Sequence, residues 1–502
     1  MILIVGAGPV GLTSAMALKR LGVDVRIIDK VAARSDRSKA LAIWPRTLEF
    51  LDIQGCVEPF IRAGLKGTGV RLWSDGKELV HVSLDRTPSV YRYVLLIPQS
   101  ETERILEEEL TKLGVRVERE TDLESLTPDP SGVTVALRAP DRSSVETRVD
   151  YLLGCDGAHS TVRHGIGAQF AGTTMPSDWI LGDLRIDGPL AQDELVIYWT
   201  ALGVLAVFPI IGGRFRVIAD MGAAPLETAP DPTLEDVQRV IDARGPRGLS
   251  ARDPIWLTHF RINERKVKEY RYGRVFLLGD AAHVHSPAGG QGMNTGMQDG
   301  FNLAWKLALV SQGRARPTLL DSYSPERSAI GDQVLRNAGR LTEIATTRNP
   351  ILREIRDLAA RAVSHLEFAQ QRIADQLTEV DLHYADGPLT TALPGASGHP
   401  APGQRAPDVA LVTSRTGHAR LHALLATGRF AVLGVGMDPF VLPEALRSLA
   451  LSARADDTGT YRAGHVYLIR PDAYVALSTD ASGANGVIAW LERLTPSASR
   501  LV

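Results

Sequence analysis

The first pattern that could do chemistry is a set of three glycines near the start of the chain. Gly6, Gly8 and Gly11 form G-x-G-x-x-G between a strand-like run at 2–5 and a helix predicted over about 9–21. The first glycine permits a tight turn, the second lets the backbone approach a pyrophosphate, and the third lets helix and strand pack closely. The pattern predicts a nucleotide site, and a tight turn without a ligand is the alternative.

The residues around this turn extend the nucleotide-site prediction. Pro9 and Val10 open the helix, whose free amides and partial positive charge favour a bound anion. Asp29 ends the next predicted strand, at 23–29, where its carboxylate could accept hydrogen bonds from an adenosine ribose, and Lys30 follows it. This fingerprint alone does not distinguish a nicotinamide dinucleotide from a flavin dinucleotide.

A second glycine-rich segment, GDAAHVHSPAGGQGMN at 279–294, lies about 270 residues later. Its glycines at 289, 290 and 292 would let the backbone run flush against a flat ring. A helix predicted to begin near Met293 would point its positive end at that ring and stabilise an anion there. A glycine-rich loop before a core helix is the alternative interpretation.

Segment 279–294 resembles the second FAD motif of the para-hydroxybenzoate hydroxylase-like flavoprotein monooxygenases, and GCDGAHSTVR at 154–163 resembles their Asp-Gly motif. The three motifs stand in the family's order, and the resemblance covers about residues 1–340. It implies that Asp280 holds the ribityl and ribose region of FAD. It also implies that Asp156 and Gly157 contribute to both FAD and NAD(P)H interactions.

The resemblance implies further FAD contacts. The backbone of Gly292, Met293 and Asn294 should lie against the flavin pyrimidine ring, and the backbone near Leu123 against the adenine. The remaining residues of the expected FAD site are Arg46, Gln99, Gly290 and Pro287, the last near the place where oxygen reacts. Lys39 stands where many relatives have arginine, and lysine lacks the bidentate fork that arginine offers a phosphate.

The reaction implied by the resemblance is hydroxylation of an aromatic ring. NADPH or NADH reduces the flavin, O2 adds at C4a to form a hydroperoxide, and its distal oxygen passes to the substrate. NADPH is favoured by family habit, and the single dinucleotide fingerprint suggests that the nicotinamide binds transiently. A reductase or dehydrogenase on the same fold is one alternative, and a non-catalytic flavin-binding protein that sequesters a ligand is another. The expected substrate is a small phenolic or polyketide-like molecule.

Two other groups of residues invite a functional interpretation. His283 and His285 lie two residues apart without clustered acids or cysteines, a weak metal-ligand set, so we assign them to structure or to the site wall and predict no metal. Aromatic and apolar side chains at Tyr198, Trp199, Phe208 and Pro209 could form a substrate pocket or plain sheet core.

The element pattern predicts an α/β (α+β) chain of several domains. We expect a discontinuous Rossmann-like FAD-binding domain at 1–66, 97–167 and 272–340, and an inserted antiparallel-sheet substrate domain at 67–96 and 168–271. A helical connection should occupy 341–393. A stretch rich in Pro, Gly and Ala at 394–407 marks a boundary.

The last part of the chain, 396–502, resembles the thioredoxin-like C-terminal domain of phenol hydroxylase relatives, chiefly through LIRPDAYV at 468–475. No cysteine follows Cys155, so dithiol chemistry is excluded there. We expect this domain to act through packing, by covering the main domain or by forming a subunit interface.

Composition describes an ordinary soluble protein. The 502 residues carry a formal net charge of -2 with 44% hydrophobic and 23% charged residues, which gives no basic field for nucleic acid. Only Cys56 and Cys155 occur, too few for a disulfide framework. The N-terminus shows no targeting peptide, and no apolar run is long enough for stable membrane insertion. We therefore expect a cytoplasmic protein, with a homodimer as one candidate assembly.

Overall fold

The computed structural model describes residues 1–35, 38–223, 230–364, 366–393, 399–412, 417, 419–438, 440–456 and 459–496. Part of the predicted 394–407 boundary, residues 394–398, lies outside this described part. Within it, the chain forms five sheets with helices packed around them.

The sheet that begins the fold has six strands in the order β18-β19-β12-β1-β2-β8. Strands β1, β2, β8, β12 and β19 run parallel where they pair, and β18 is an antiparallel edge. Parallel strands are covered on both faces, which explains why β1 reads as an unbroken apolar run and is wholly buried. The strands of this six-stranded sheet are Ile2–Val5 (β1), Val25–Ile28 (β2), Val117–Glu118 (β8), Tyr151–Gly154 (β12), Arg271–Tyr272 (β18) and Val275–Leu277 (β19).

An eight-stranded sheet, ordered β20-β17-β13-β16-β15-β14-β5-β6, forms a separate layer. It is antiparallel except for the parallel pair β14 and β5, so the alternating patterns seen in the sequence do form one sheet. Its strands are Gly69–Ser74 (β5), Lys77–Ser83 (β6), Ala171–Asp187 (β13), Glu194–Thr200 (β14), Gly203–Ile210 (β15), Arg214–Ala223 (β16), Ser250–Lys266 (β17) and His283–Val284 (β20).

Two small sheets and a C-terminal sheet complete the strands. The first small sheet, order β3-β7-β4, contains Ala42–Ile43 (β3), Leu65–Gly67 (β4) and Val94–Leu96 (β7). The second, order β11-β10-β9, contains Asp122–Asp129 (β9), Gly132–Arg138 (β10) and Ser144–Val149 (β11). The C-terminal sheet, order β22-β21-β23-β24, contains Phe430–Val435 (β21), Ala450–Ala455 (β22), His465–Ile469 (β23) and Val475–Asp480 (β24), with β21 parallel to β22 and the other pairs antiparallel.

The helices pack against the sheets and against one another. They are Pro9–Arg20 (α1), Pro45–Ile53 (α2), Val57–Ala63 (α3), Gln99–Lys112 (α4), Thr161–Gly165 (α5), Leu234–Arg244 (α6), Gly292–Ser311 (α7), Tyr323–Thr346 (α8), Pro350–Ser364 (α9), Glu367–Leu377 (α10), Leu421–Leu425 (α11) and Ala484–Glu492 (α12). Helix α1, for example, contacts β1 and β2 of the first sheet and also α4 and α7. None of the helices in the described part combines the length and apolar character needed to cross a membrane.

The architecture matches the expected class: a Rossmann-like unit, an inserted sheet and a thioredoxin-like C-terminal unit. The largest apolar core runs through two of these units. It contains Leu48 and Phe50 of α2 together with Leu421, Tyr461 and Tyr474 of the C-terminal part. Because these side chains share one buried cluster, the C-terminal unit is packed onto the first unit.

Candidate active site

The turn after β1 is tight at two of its three glycines, as the sequence pattern predicts. Gly6 has φ +100°, and a Cβ there would lie 2.4 Å from the carbonyl oxygen of Cys155. A Cβ on Gly11 would lie 1.9 Å from the carbonyl oxygen of Gly6, so helix and turn can pack this closely only without a side chain. A Cβ on Gly8 would meet nothing within 4 Å. The turn is therefore closely packed at Gly6 and Gly11 and open at Gly8, where an anion could approach the N-terminus of α1.

Asp29 lies at the end of β2 beside this open space. Its carboxylate accepts hydrogen bonds from the backbone N–H of Ala7 at 2.7 Å and of Val31 at 3.1 Å. The carbonyl oxygen of Asp29 accepts from Thr121 N–H, which brings the segment leading to Leu123 alongside. Leu123 itself is buried. Asp29 thus anchors the glycine turn in addition to the ribose role that the sequence predicts. Lys30 is exposed.

The first and second glycine motifs touch each other through Val10. A Cβ on Gly279 or on Gly296 would lie 2.7 Å from a methyl group of Val10, so both glycines are needed for α1 to approach α7. The two motifs are about 270 residues apart in sequence. The fold brings them to one place, as a single bound dinucleotide would require.

Asp299, in α7, anchors the second motif through Gly279. Its carboxylate accepts hydrogen bonds from Gly279 N–H at 2.9 Å and from Arg327 Nε at 2.6 Å, and His283 Nε2 lies 2.9 Å away. Burial favours the neutral acid, but Arg327 and His283 outweigh it and keep the pKa of Asp299 below its ordinary value. His283 therefore has a structural role, which is one of the two roles, structure or site wall, that the sequence analysis suggested for it.

Asn294 and Trp44 clamp the glycine-rich loop. The Asn294 side-chain oxygen accepts from Trp44 N–H, and its amide nitrogen donates to the carbonyl oxygens of Ala42 and Gly290. The Trp44 indole N–H donates to the carbonyl oxygen of Gly289 at 3.0 Å. The loop that precedes α7 is thereby held to the small sheet of β3, with Gly292 as the first residue of the helix.

The Asp-Gly motif lies at the start of α5. Asp156 accepts from the Ser160 hydroxyl at 2.5 Å and from Val162 N–H at 3.1 Å, and burial raises its pKa. Gly157 follows with φ +79°. Arg163 donates to the carbonyl oxygen of Ala281 at 3.1 Å, which ties this motif to the second FAD-like motif.

A cavity of about 880 Å³ opens between these motifs and the eight-stranded sheet. Lys39, Asp280, Pro287 and His285 line one side. Asp280 is accessible from the cavity, yet protein surrounds it closely enough that burial raises its pKa, against the opposing influence of His283 and Lys39. Burial lowers the pKa of His285 to about 4, so its ring is neutral at neutral pH.

The opposite side of the cavity is apolar. It is formed by Leu181, Ile218, Trp256 and Phe260, on β13, β16 and β17. Arg163, Arg261 and Arg265 and the histidines His159 and His164 also line the cavity. The cavity therefore combines polar, apolar and basic lining residues.

The four residues considered for a substrate pocket divide between the two faces of the sheet. Successive residues of a strand point to opposite faces. Trp199 and Phe208 belong to the apolar cluster that also contains Ile218 and Phe260, so they lie on the cavity face of the sheet but to one side of the cavity. Within the described part of the chain, none of the four lines this cavity.

Tyr198 and Pro209 require a correction. Tyr198 packs against the apolar cluster under α6, and Pro209 pairs with Phe215 of that same cluster. Burial on this face raises the pKa of Tyr198 to about 12. Both side chains thus point away from the cavity, because the strand pleat separates them from Trp199 and Phe208.

Arg46 also lies elsewhere than expected. Its guanidinium donates to the carbonyl oxygens of Asp472 and Ala473 and to Glu49, and it stacks 4.6 Å from the ring centroid of Tyr474. The side chain is fully buried against the C-terminal unit. It does not reach the cavity, and we leave Arg46 out of the cofactor-binding set.

Gln99 remains beside the Lys39 segment. Its side-chain oxygen accepts from Ala40 N–H at 3.2 Å, and its backbone N–H donates to the Ser38 hydroxyl. Arg216 donates to the Lys39 carbonyl oxygen at 2.9 Å and forms a buried ion pair with Asp183. The backbone that carries Lys39 is thus held from both sides.

The residues present fit an FAD molecule. The open front of Gly8 and the N-terminus of α1 suit its pyrophosphate. Asp29 and Asp280 are carboxylates placed to accept from ribose and ribityl hydroxyl groups, and Lys39 lies nearby as a cation. The N-terminus of α7 suits the ring.

The C-terminal unit supplies charges to the interior of the first unit, which the sequence did not predict. Arg470 forms bidentate contacts with Glu326 of α8 at 2.7 and 2.9 Å, and it pairs with Asp472. Lys306 of α7 donates to the same Glu326 at 2.7 Å. Although burial alone would raise it, Arg470 and Lys306 lower the pKa of Glu326 to about 2. No local pattern marks these long-range partners.

Comparison with protein families agrees with this geometry. The family model described as "FAD binding domain" matches residues 1–338, and the model described as "Aromatic-ring hydroxylase, C-terminal" matches residues 399–498. Together they span both the nucleotide-binding motifs and the thioredoxin-like unit.

Curated relatives cover nearly the whole chain. The 6-methylpretetramide 4-monooxygenase of Streptomyces rimosus is 35% identical over 98% of this chain and 93% of its own length. A rifampicin monooxygenase of Rhodococcus hoagii is 32% identical over 96% of this chain and 95% of its own.

Solved structures are similar throughout. The anhydrotetracycline hydroxylase of Streptomyces rimosus superposes with a TM-score of 0.80 at 30% identity and covers 98% of both chains. The aromatic hydroxylase CabE from angucycline biosynthesis gives 0.79 at 28% identity, with 99% of both chains covered. The motifs, the cavity beside them and the matches over both units place this chain in the family of FAD-dependent aromatic-ring monooxygenases, which use a reduced nicotinamide cofactor and O2.

Proposed function

We propose that this monooxygenase hydroxylates a multi-ring, phenolic or polyketide-like molecule. The observation that carries the proposal is the apolar wall of Leu181, Ile218, Trp256 and Phe260 in the cavity of about 880 Å³ beside the FAD motifs. Asp280 and Lys39 line the same cavity, so FAD would fill part of it, and the wall rather than the volume indicates the substrate. An apolar wall would bury the faces of fused rings.

The relatives support the same substrate class. Two proteins of Streptomyces rimosus with 35% and 32% identity are named for oxygenation of 6-methylpretetramide and of tetracycline intermediates. A pentachlorophenol 4-monooxygenase of Sphingobium chlorophenolicum is 34% identical over 68% of this chain, so a single-ring phenol is the second candidate. The extent of the apolar wall favours the larger substrate.

The roles of individual residues are part of this proposal. FAD supplies the oxygen-transfer chemistry when bound. Asp280 would hold a hydroxyl of its ribityl chain, Gly8 would admit the pyrophosphate, and Asp29 would bind the ribose. Around the ring, the backbone of 290–294 would provide N–H donors, and Pro287 would form the wall on the cavity side.

Other residues of the cavity would bind the nicotinamide cofactor and exclude water. Asp156 and Gly157 would order the segment that leads to Arg163 in the cavity lining, where the reduced nicotinamide cofactor would bind, and NADPH is our choice of cofactor. The apolar wall would exclude water while oxygen is transferred. We retain the division into a discontinuous FAD domain, a substrate domain at 67–96 and 168–271, and a C-terminal domain from 396 as a proposal.

The test is a screen of polycyclic phenols and single-ring phenols with the FAD-loaded enzyme under ¹⁸O2. A multi-ring substrate should accelerate NADPH oxidation and gain one ¹⁸O atom, as measured by product mass. The variant Phe260→Ala should raise KM for the multi-ring substrate more than for phenol. Reduction of a substrate double bond without ¹⁸O would instead support a reductase. If only single-ring phenols gain oxygen, the argument from the apolar wall fails.

A further inference from the structure

Helix α9 has an inverted arrangement of polar and apolar residues. Its exposed side chains include Ile351, Leu352, Ile355 and Leu358, which are 69, 53, 59 and 72% exposed. A surface helix normally turns such a stripe toward the core. In this helix the apolar stripe faces solvent.

Polar contacts fix this orientation. Arg353 forms an ion pair of 2.6 Å with Asp75, and Asp357 accepts a hydrogen bond of 2.6 Å from the Ser74 hydroxyl. Arg356 is buried with its guanidinium 4.5 Å from the ring centroid of Trp199. These contacts attach the polar face of α9 to the end of β5, so the helix cannot turn its apolar stripe inward without breaking them.

The exposed stripe has the spacing of a helix-pairing seam. Ile351, Ile355, Leu358 and Ala362 follow one another at intervals of four, three and four residues, as the core positions of a heptad do. This spacing is the same when it is read in either direction. In two antiparallel copies of α9, Ile355 of each copy would therefore lie against Leu358 of the other at the centre of the seam. Ile351 of each copy would lie against Ala362 of the other at the two ends.

The charges beside the seam are complementary in the same arrangement. Glu354 and Arg361 lie seven residues apart on one flank, and both are exposed. In an antiparallel pair this flank meets its own copy, so each Glu354 lies near Arg361 of the other copy. The opposite flank carries Leu352 and Ala359, which extend the apolar contact.

We propose that α9 is a dimer interface whose occupant is α9 of a second copy of this chain. A twofold axis crosses the seam between Ile355 and Leu358, so that one patch meets itself. Leu366 and Phe368, 58 and 77% exposed just beyond the helix, enlarge the apolar area. The proposal does not depend on the substrate or the reaction.

The test is sedimentation equilibrium of the full-length, FAD-loaded protein over a concentration series. We expect a two-copy species that Ile355→Glu combined with Leu358→Glu converts to single copies. The matched control is Ile255→Glu, at an apolar position that is 61% exposed. Ile255 lies on β17, toward the opposite edge of the eight-stranded sheet from β5, to which α9 is attached. This control should leave the dimer unchanged. FAD stoichiometry and Tm confirm that each variant is folded.

A charge exchange tests the antiparallel geometry. Glu354→Arg and Arg361→Glu should each raise the dimer dissociation constant by about tenfold, and the double exchange should restore it. A protein that stays monomeric at every concentration overturns the proposal. It is overturned also if such a monomer sediments with phosphatidylglycerol vesicles, because the apolar stripe would then bind a membrane. A dimer that the paired glutamates leave intact also overturns it, and a double exchange without recovery rejects the antiparallel pairing.

Discussion

Arg327 of α8 donates a hydrogen bond of 2.6 Å to Asp299 of α7, and both side chains are buried. The same carboxylate receives Gly279 N–H, so this ion pair determines where the segment carrying Asp280 lies. Arg327 also donates to the Tyr384 hydroxyl at 2.8 Å, beside the Arg470 guanidinium of the C-terminal unit. The glycine turn of the second motif is therefore connected through side chains to the thioredoxin-like unit.

Arg327→Met should lower the free energy of unfolding by about 3–5 kcal/mol, because it leaves the Asp299 carboxylate buried without its partner. Thermal unfolding of the FAD-loaded protein measures the effect. The matched control is Arg86→Met, which removes an exposed pair with Glu367 and should cost less than about 1 kcal/mol. Equal losses in the two variants would contradict the role of burial.

Gly8→Ala should fold normally but bind FAD weakly. A Cβ there contacts no protein atom, so the methyl group would occupy the space where the pyrophosphate should approach. Gly11→Ala should instead lower the Tm, because its Cβ would collide with the Gly6 carbonyl oxygen. FAD titration and thermal unfolding of both variants separate the two effects. Tight FAD binding by Gly8→Ala would show that the pyrophosphate lies elsewhere.

Asp280→Ala should weaken FAD binding by about 1.5–3 kcal/mol, the usual value of a hydrogen bond to a charged group. Asp29→Ala should also weaken FAD binding, but with a drop in Tm, since Asp29 anchors the Ala7 N–H as well. Fluorescence titration of FAD and a melting curve for each variant distinguish these outcomes. An unchanged FAD affinity in Asp280→Ala would remove this residue from the site.

Glu379 should make stability depend on pH. It is fully buried, and burial raises its pKa from 4.5 to about 8. A carboxyl with a raised folded-state pKa contributes most below its unfolded value, so stability should fall as the pH rises from about 4.5 through 8. Glu379→Gln keeps the neutral shape and should remove this loss. The variant should exceed the wild type at pH 8 by more than about 1 kcal/mol and match it more closely at pH 5.

The double variant Cys56→Ser, Cys155→Ser should keep its hydroxylation chemistry but lose stability. Both thiols are buried, and burial raises the pKa of each, that of Cys56 to about 12. Each serine would bury a hydroxyl, which is more strongly hydrated than a thiol, at a cost of up to about 1–3 kcal/mol. Coupling of NADPH consumption to product should stay unchanged at a temperature below the lowered Tm. Loss of turnover in a folded, FAD-loaded variant would require a thiol step.

The local patterns of the sequence were sufficient for several features. Glycine spacing identified the turn after β1. Gly6 and Gly11 require glycine there, because φ is positive at Gly6 and another backbone lies within van der Waals distance of Gly11. Apolar runs and glycine turns placed β1, α1, β2 and the start of α7 within a few residues. Together with the family resemblance, they determined the fold class and the reaction class of this protein.

Tertiary structure decided which side chains meet. Tyr198 and Trp199 are neighbours in sequence but lie on opposite faces of a sheet, and only the pairing of β14 with its neighbours settles which face lines the cavity. Arg46 points to residues 472 and 473, more than 400 positions later. Partners at such distances leave no periodic trace in the chain, because each interacts through a packed contact that exists only once the units have docked.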